Sequence, residues 1–199
     1  MTFFDDLPEP PARPRQPQPI RPGWAGPPSD ELPGVAHIGE FIHSSQRAVV
    51  ALKSVEVYST GCVLELMGVV RRGQETDREW RDVMEQVFQR PGASDGAGFL
   101  IGVAYPDGRR AVASQPMPPM FEDADIAGPV LVPIGGGGAN GGDHSVEVKA
   151  RYWLWPLPVD GDCQVVAKWD TVGVDESSVV LASEVLGSGL ARIRKFWAG

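Results

Sequence analysis

From Ala48 onward apolar and polar side chains alternate in short runs, and Gly, Pro and Asp turns bound the runs. A period of two puts successive side chains on opposite faces of a strand, so these runs predict β-strands with one buried face. Residues 48–58 turn at Ser59-Thr60-Gly61 and return as residues 62–72, a predicted hairpin whose second strand gathers Cys62, Leu64, Leu66, Gly68 and Val70 on one face. Thr76 and Glu79 have capping-box spacing, and Trp80, Val83, Met84, Val87 and Phe88 follow at helical intervals until Arg90-Pro91-Gly92. Strand patterning resumes over residues 99–105, with Phe99, Ile101, Val103 and Tyr105 on one face, then passes the turn Pro106-Asp107-Gly108 and ends near Val112. Further strands are predicted at residues 129–134, 145–155, 163–169 and 179–181, and a final helix from Ser183 carries Leu186, Leu190, Ile193 and Trp197 on one stripe. The pattern is mainly β: a β-sandwich of seven to eight mostly antiparallel strands with one intervening helix and a C-terminal helix.

The strand at residues 145–155 is the most unusual. Val146, Val148, Ala150, Tyr152 and Leu154 form its apolar face, while Ser145, Glu147, Lys149, Arg151, Trp153 and Trp155 share the other. That second face turns from charged to aromatic just before Pro156 and Pro158 end the strand. Two readings follow. Either another segment, the last helix or Trp24, folds over the indoles, or Trp153 and Trp155 form an exposed platform for a sugar ring or an apolar partner side chain.

Ahead of the strands, residues 1–34 hold ten of the 19 prolines, interleaved with Arg13, Arg15 and Arg21, and show no apolar period. They read as a proline-rich extended or disordered tail. Residues 35–199 read as a single β-sandwich domain. The turn-rich run Pro22-Gly23-Trp24-Ala25-Gly26-Pro27-Pro28 leaves open whether Trp24 docks on that domain.

A net charge of −8 and a pI near 4.9 argue against nucleic acid, whose phosphates are met by clustered Lys and Arg. The first residues lack the basic start and apolar run of a secretory signal, and no stretch is long enough to span a membrane, so the expected compartment is the cytoplasm, with no membrane partner. Cys62 and Cys163 are accordingly expected as reduced, buried thiols.

Several constellations resemble chemistry without its requirements. Gly136, Gly138 and Gly141 have dinucleotide-fingerprint spacing, but a strand follows where a pyrophosphate needs a helix N-terminus, so the tract from Gly135 to Gly142 is expected to be a flexible hairpin loop. Asp143, His144 and Ser145 are adjacent, and neighbouring extended side chains diverge too far to act as a triad. His37 and His43 stand about 20 Å apart if extended, too far to share a metal. Asp160 and Asp162 read as a turn, and Glu122, Asp123 and Asp125 as a solvated loop. No catalytic residue, metal ligand or cofactor site is expected.

The chain resembles a group of uncharacterised actinobacterial proteins through several short blocks. These are Pro22 to Pro28, Tyr58 to Gly61, Gly102 to Arg110, the Gly135 tract, Trp153-Leu154-Trp155-Pro156-Leu157-Pro158, Lys168 to Val174 and Trp197. The tryptophan-proline block is the most specific of them. The resemblance implies a bacterial, cytosolic protein and carries over no catalytic residue.

The functional expectation is a non-enzymatic protein-interaction module whose proline-rich arm or acidic edge engages another protein. On that reading, removing residues 1–34 leaves the fold intact. The alternative is a small-ligand or glycan binder using Trp153 and Trp155, so Trp24, Trp153 and Trp155 are the candidate surface residues. The oligomeric state is left open.

Overall fold

In the computed structural model, which describes residues 21–88, 98–113 and 126–197, the alternating runs pair into three antiparallel sheets. The strands are β1 (Glu31–Leu32), β2 (Gly34–Ser44), β3 (Ala48–Val57), β4 (Cys62–Arg71), β5 (Leu100–Ala104), β6 (Arg110–Val112), β7 (Val130–Gly141), β8 (Ser145–Trp155), β9 (Cys163–Trp169), β10 (Val174–Leu181) and β11 (Arg194–Lys195). The helices are α1 (Asp77–Phe88) and α2 (Ser183–Leu190). One sheet runs β2-β3-β4-β8-β7, the second β10-β9-β5-β6, and β1 pairs β11 in a two-stranded clip.

The two larger sheets face each other as a sandwich. Leu64, Leu66, Tyr152 and Leu154 meet Ile101, Val103, Val165 and Trp169 in one continuous apolar core. These are the inward faces that the alternation predicts, because a half-buried antiparallel strand gains only from the side chains on its covered face.

The helix α1 starts at the anticipated capping box: the Thr76 amide donates to Glu79 Oε2 at 2.8 Å and the Glu79 amide donates to Thr76 Oγ1 at 3.4 Å. Its Trp80 indole donates to the Gly142 carbonyl at 2.8 Å, pinning the helix to the turn between β7 and β8. The shorter α2 sits against β2 and β3, with Leu186 in the core. A side chain at Gly34 would overlap the Gly189 carbonyl, so the helix approaches the sheet at a distance only glycine allows.

Three elements differ from expectation. The tract Gly135 to Gly141 is the distal part of β7, with Gly138 to Gly141 in register with Lys149 to Val146, rather than a loop; the backbone ladder holds it where side chains contribute nothing. The final helix stops at Leu190, and the chain turns through Ala191 and Arg192 into β11. Gly187 and Gly189 weaken the helix, and pairing with β1 draws the following residues away from it. Trp197 therefore lies exposed instead of completing a helical stripe. Finally β2 is a full edge strand of eleven residues. Bulges between His37 and Glu40 and between Phe41 and His43, with Gly39 at a φ of 69°, break its alternation.

Candidate interaction surfaces

The outer face of the five-stranded sheet carries a second apolar cluster of Tyr58, Val63, Val132 and Trp153, flanked by Val130, Ile134 and Trp155. Strand register explains its membership, since Val63 and Val132 lie directly opposite Trp153 on either side. Tyr58 meets the Trp153 ring edge-on at 5.7 Å. A 3-10 turn, Gly23–Ala25, lies over β8, and the Trp153 indole donates to the Gly23 carbonyl at 2.9 Å. A side chain at Gly23 would stand 3.3 Å from Trp155 Nε1.

Of the three expected surface residues, Trp153 is 0 % exposed, Trp24 is buried and Trp155 is half-buried, so the first two lie beneath cover and only Trp155 reaches the surface. The cover comes from the N-terminal segment and not from α2, because eight helical residues packed on β2 and β3 do not reach β8. Of the proline-rich stretch, residues 1–20 lie outside the described residues, whereas residues 22–34 are built into the fold through Trp24 and β1.

A buried carboxylate secures that segment. Glu31 accepts from the Ser59 amide at 2.9 Å, the Ser59 hydroxyl at 2.6 Å and Lys195 Nζ at 3.0 Å, while Lys195 also pairs with Asp30 at 2.8 Å. Burial pushes the Glu31 pKa up, but the Ser59 donors and the Lys195 charge outweigh it and hold the group below its ordinary 4.5. A lowered folded pKa contributes stability above the unfolded value and loses it as pH falls through the folded value. The stability difference between the natural chain and Glu31→Gln is therefore expected to be largest near neutrality and to shrink below about pH 4.5. Urea midpoints measured from pH 7 to pH 3 check this; a difference constant with pH would remove the ionised carboxylate from the account.

Beyond Trp153 the same outer face carries ion pairs, and Val35 and Phe41 lie exposed along its edge strand β2. Arg151 meets Glu56 at 2.7 Å, and Lys53 and Ser54 both bind Glu65, at 2.9 and 2.7 Å. Burial, followed by the neighbouring Glu56 carboxylate, raises the Tyr58 pKa to about 12.

The other sequence candidates fall apart in space or into structural roles. Asp143 and His144 form an exposed bend, and Ser145, also exposed, opens β8. Asp162 caps α2, accepting from the Ser183 amide at 2.9 Å and hydroxyl at 3.0 Å. Glu122, Asp123 and Asp125 lie outside the described residues. Among the described residues no group of three or more His, Cys, Asp and Glu side chains is placed to hold a metal. Cys62 and Cys163 are buried free thiols; burial lifts Cys163 to about 11 and raises Cys62 as well, so both are protonated near neutrality.

The surface that sequence reasoning passed over is the outer face of the four-stranded sheet. Leu100, Gly102, Ala104, Val112 and Val166 floor an open trough of ≈ 310 Å³, and Arg110, Gln164, Lys168 and Glu176 rim it. Val112 is 57 % exposed, and nearby Val180 is 55 % exposed. One signal was present: residues 99–105 are apolar on both faces, unlike an antiparallel strand whose second face meets water. A second hollow of ≈ 360 Å³ lies between β2 and α2, where Arg192 donates to the Val35 carbonyl at 3.3 Å.

No protein-family model, curated protein or solved structure matches the chain. No helix among the described residues is long and apolar enough to cross a membrane.

Proposed function

We propose that this chain is a non-enzymatic protein-interaction module whose contact face is the outer side of the four-stranded sheet. The carrying observation is the contrast between the two outer faces. On the five-stranded sheet the central apolar cluster is capped by the turn at Gly23–Ala25 with ion pairs beside it, and the exposed apolar side chains, Val35 and Phe41, stand along the edge strand β2. On the four-stranded sheet valines and glycine form a central trough that no described residue covers, rimmed by Arg110, Gln164, Lys168 and Glu176. An apolar patch rimmed by charge is the ordinary anatomy of a protein contact, where the centre excludes water and the rim sets orientation.

A photo-crosslinking residue at Ser178, which lies beside Val166 on this face, tests the reading. In lysate of the source organism it is expected to form discrete protein adducts that the same probe at Lys149, on the opposite outer face, does not. Equal yields from the two positions would refute it.

A further inference from the structure

We propose that the open face pairs with the same face of a second copy of this chain, an inference that rests on the reading of that face as a protein contact. The argument is the placement of its charges. Register gives three rows across the sheet: Arg110, Ala104, Gln164, Val180; then Val112, Gly102, Val166, Ser178; then Leu100 and Lys168, with Glu176 beside them. Arg110 and Glu176 occupy opposite corners. Lys168 is satisfied by Asp170 at 2.8 Å, whereas neither Arg110 nor Glu176 has an ion pair among the described residues.

The dimensions make this arrangement self-complementary. Three inter-strand steps of about 4.8 Å separate the two charges by about 14 Å across the sheet, and four residues at about 3.3 Å separate them by about 13 Å along it. The patch is close to square. A two-fold axis running along the other diagonal, from Val180 to the corner one strand beyond Leu100, therefore carries Arg110 of each copy onto Glu176 of its partner. It also crosses the strands of the two sheets near a right angle, one of the two packing arrangements sheets favour. The same operation brings Val166 of one copy toward Gly102 of the other. Gly102 leaves a dip there, since no side chain rises between Val112 and Val166. A contact that maps onto itself in this way closes as a dimer and does not propagate.

Magnitudes set the strength. A face four strands wide and five residues long covers roughly 350 Å² per copy, and twice that remains below the roughly 1,200 Å² of stable complexes. The dimer is therefore weak and concentration-dependent. Each chain also carries a net charge of −8, a repulsion that ions at about 0.15 M screen beyond about 8 Å while leaving the direct Arg110–Glu176 contacts in place.

Sedimentation equilibrium of the full chain at that ionic strength, from about 10 µM to about 1 mM, is the test. A monomer–dimer equilibrium is expected. Arg110→Glu and Glu176→Arg should each weaken it about tenfold or more, and the double reversal should restore it. Both substituted positions are exposed, and unchanged urea midpoints of the three variants would confirm intact folding. A chain that is monomeric throughout, or a dimer indifferent to the reversals, overturns the proposal. If the chain is monomeric and the Ser178 probe captures a different protein, the self-pairing fails while the contact face stands. If that probe also yields nothing beyond the Lys149 control, both fail.

Discussion

Replacing Trp153 by alanine is expected to lower the unfolding free energy by about 4 kcal/mol, the scale measured for emptying a buried aromatic site. The ring is fully buried beneath the turn at Gly23–Ala25, edge-on to Tyr58, and a side chain at Gly61 would stand 2.6 Å from Trp153 Cζ2. Its walls are Gly61, fitted to the indole, and the side chains of Tyr58, Val63 and Val132, which strand pairing holds in place, so they close only partly on the space. Against the 5 to 15 kcal/mol typical of a domain, about 4 kcal/mol is a large fraction. Trp153→Phe separates the contributions: it keeps most of the volume and loses the hydrogen bond to Gly23, which is worth about 1 kcal/mol. Urea unfolding followed by circular dichroism measures both. Equal losses from the two variants would assign the effect to the hydrogen bond, and no loss from either would show that the cluster does not support the fold.

A chain beginning at residue 35 is expected to lose about 5 kcal/mol, opposite to the expectation from composition that the segment is dispensable. The truncation removes buried Trp24, uncovers Trp153 and deletes Glu31 with its three hydrogen bonds to Ser59 and Lys195. Lys195 loses both of its carboxylates. A lowered urea midpoint and a red shift of tryptophan emission, as water reaches the indoles, are the expected results. An unchanged midpoint would mean that the segment rests on the domain without stabilising it.

The difference between these expectations lies in what proline and glycine hide. Pro22-Gly23-Trp24 has no period, because a turn that buries a single side chain leaves no repeating pattern. Strand β2 was illegible for a related reason: apolar Val35 and Phe41 stand on its water-facing side, and the bulge after Phe41 turns polar His43 inward beside buried Ile42. The open face of the four-stranded sheet was half legible. Apolar residues on both sides of β5 announced something, but only the neighbouring strands show that nothing among the described residues lies over Leu100, Gly102 and Ala104.

By itself the sequence determined the local and periodic features: the antiparallel strands from Ala48 onward, the inward faces of β4, β5, β8 and β9, the capping box of α1, and the placing of Trp153 and Trp155 on the side of β8 away from the main core. These follow from interactions between residues close in the chain or from a period of two, both of which can be read along one dimension. Only the tertiary structure decided which segment covers the indoles, that β1 and β11 clip residues 31–32 to residues 194–195, and which outer face is left open by the described residues. Each depends on pairs far apart in sequence, such as Gly23 with Trp153 and Glu31 with Lys195, whose meeting is a property of the packed fold and leaves no mark on the spacing of either partner.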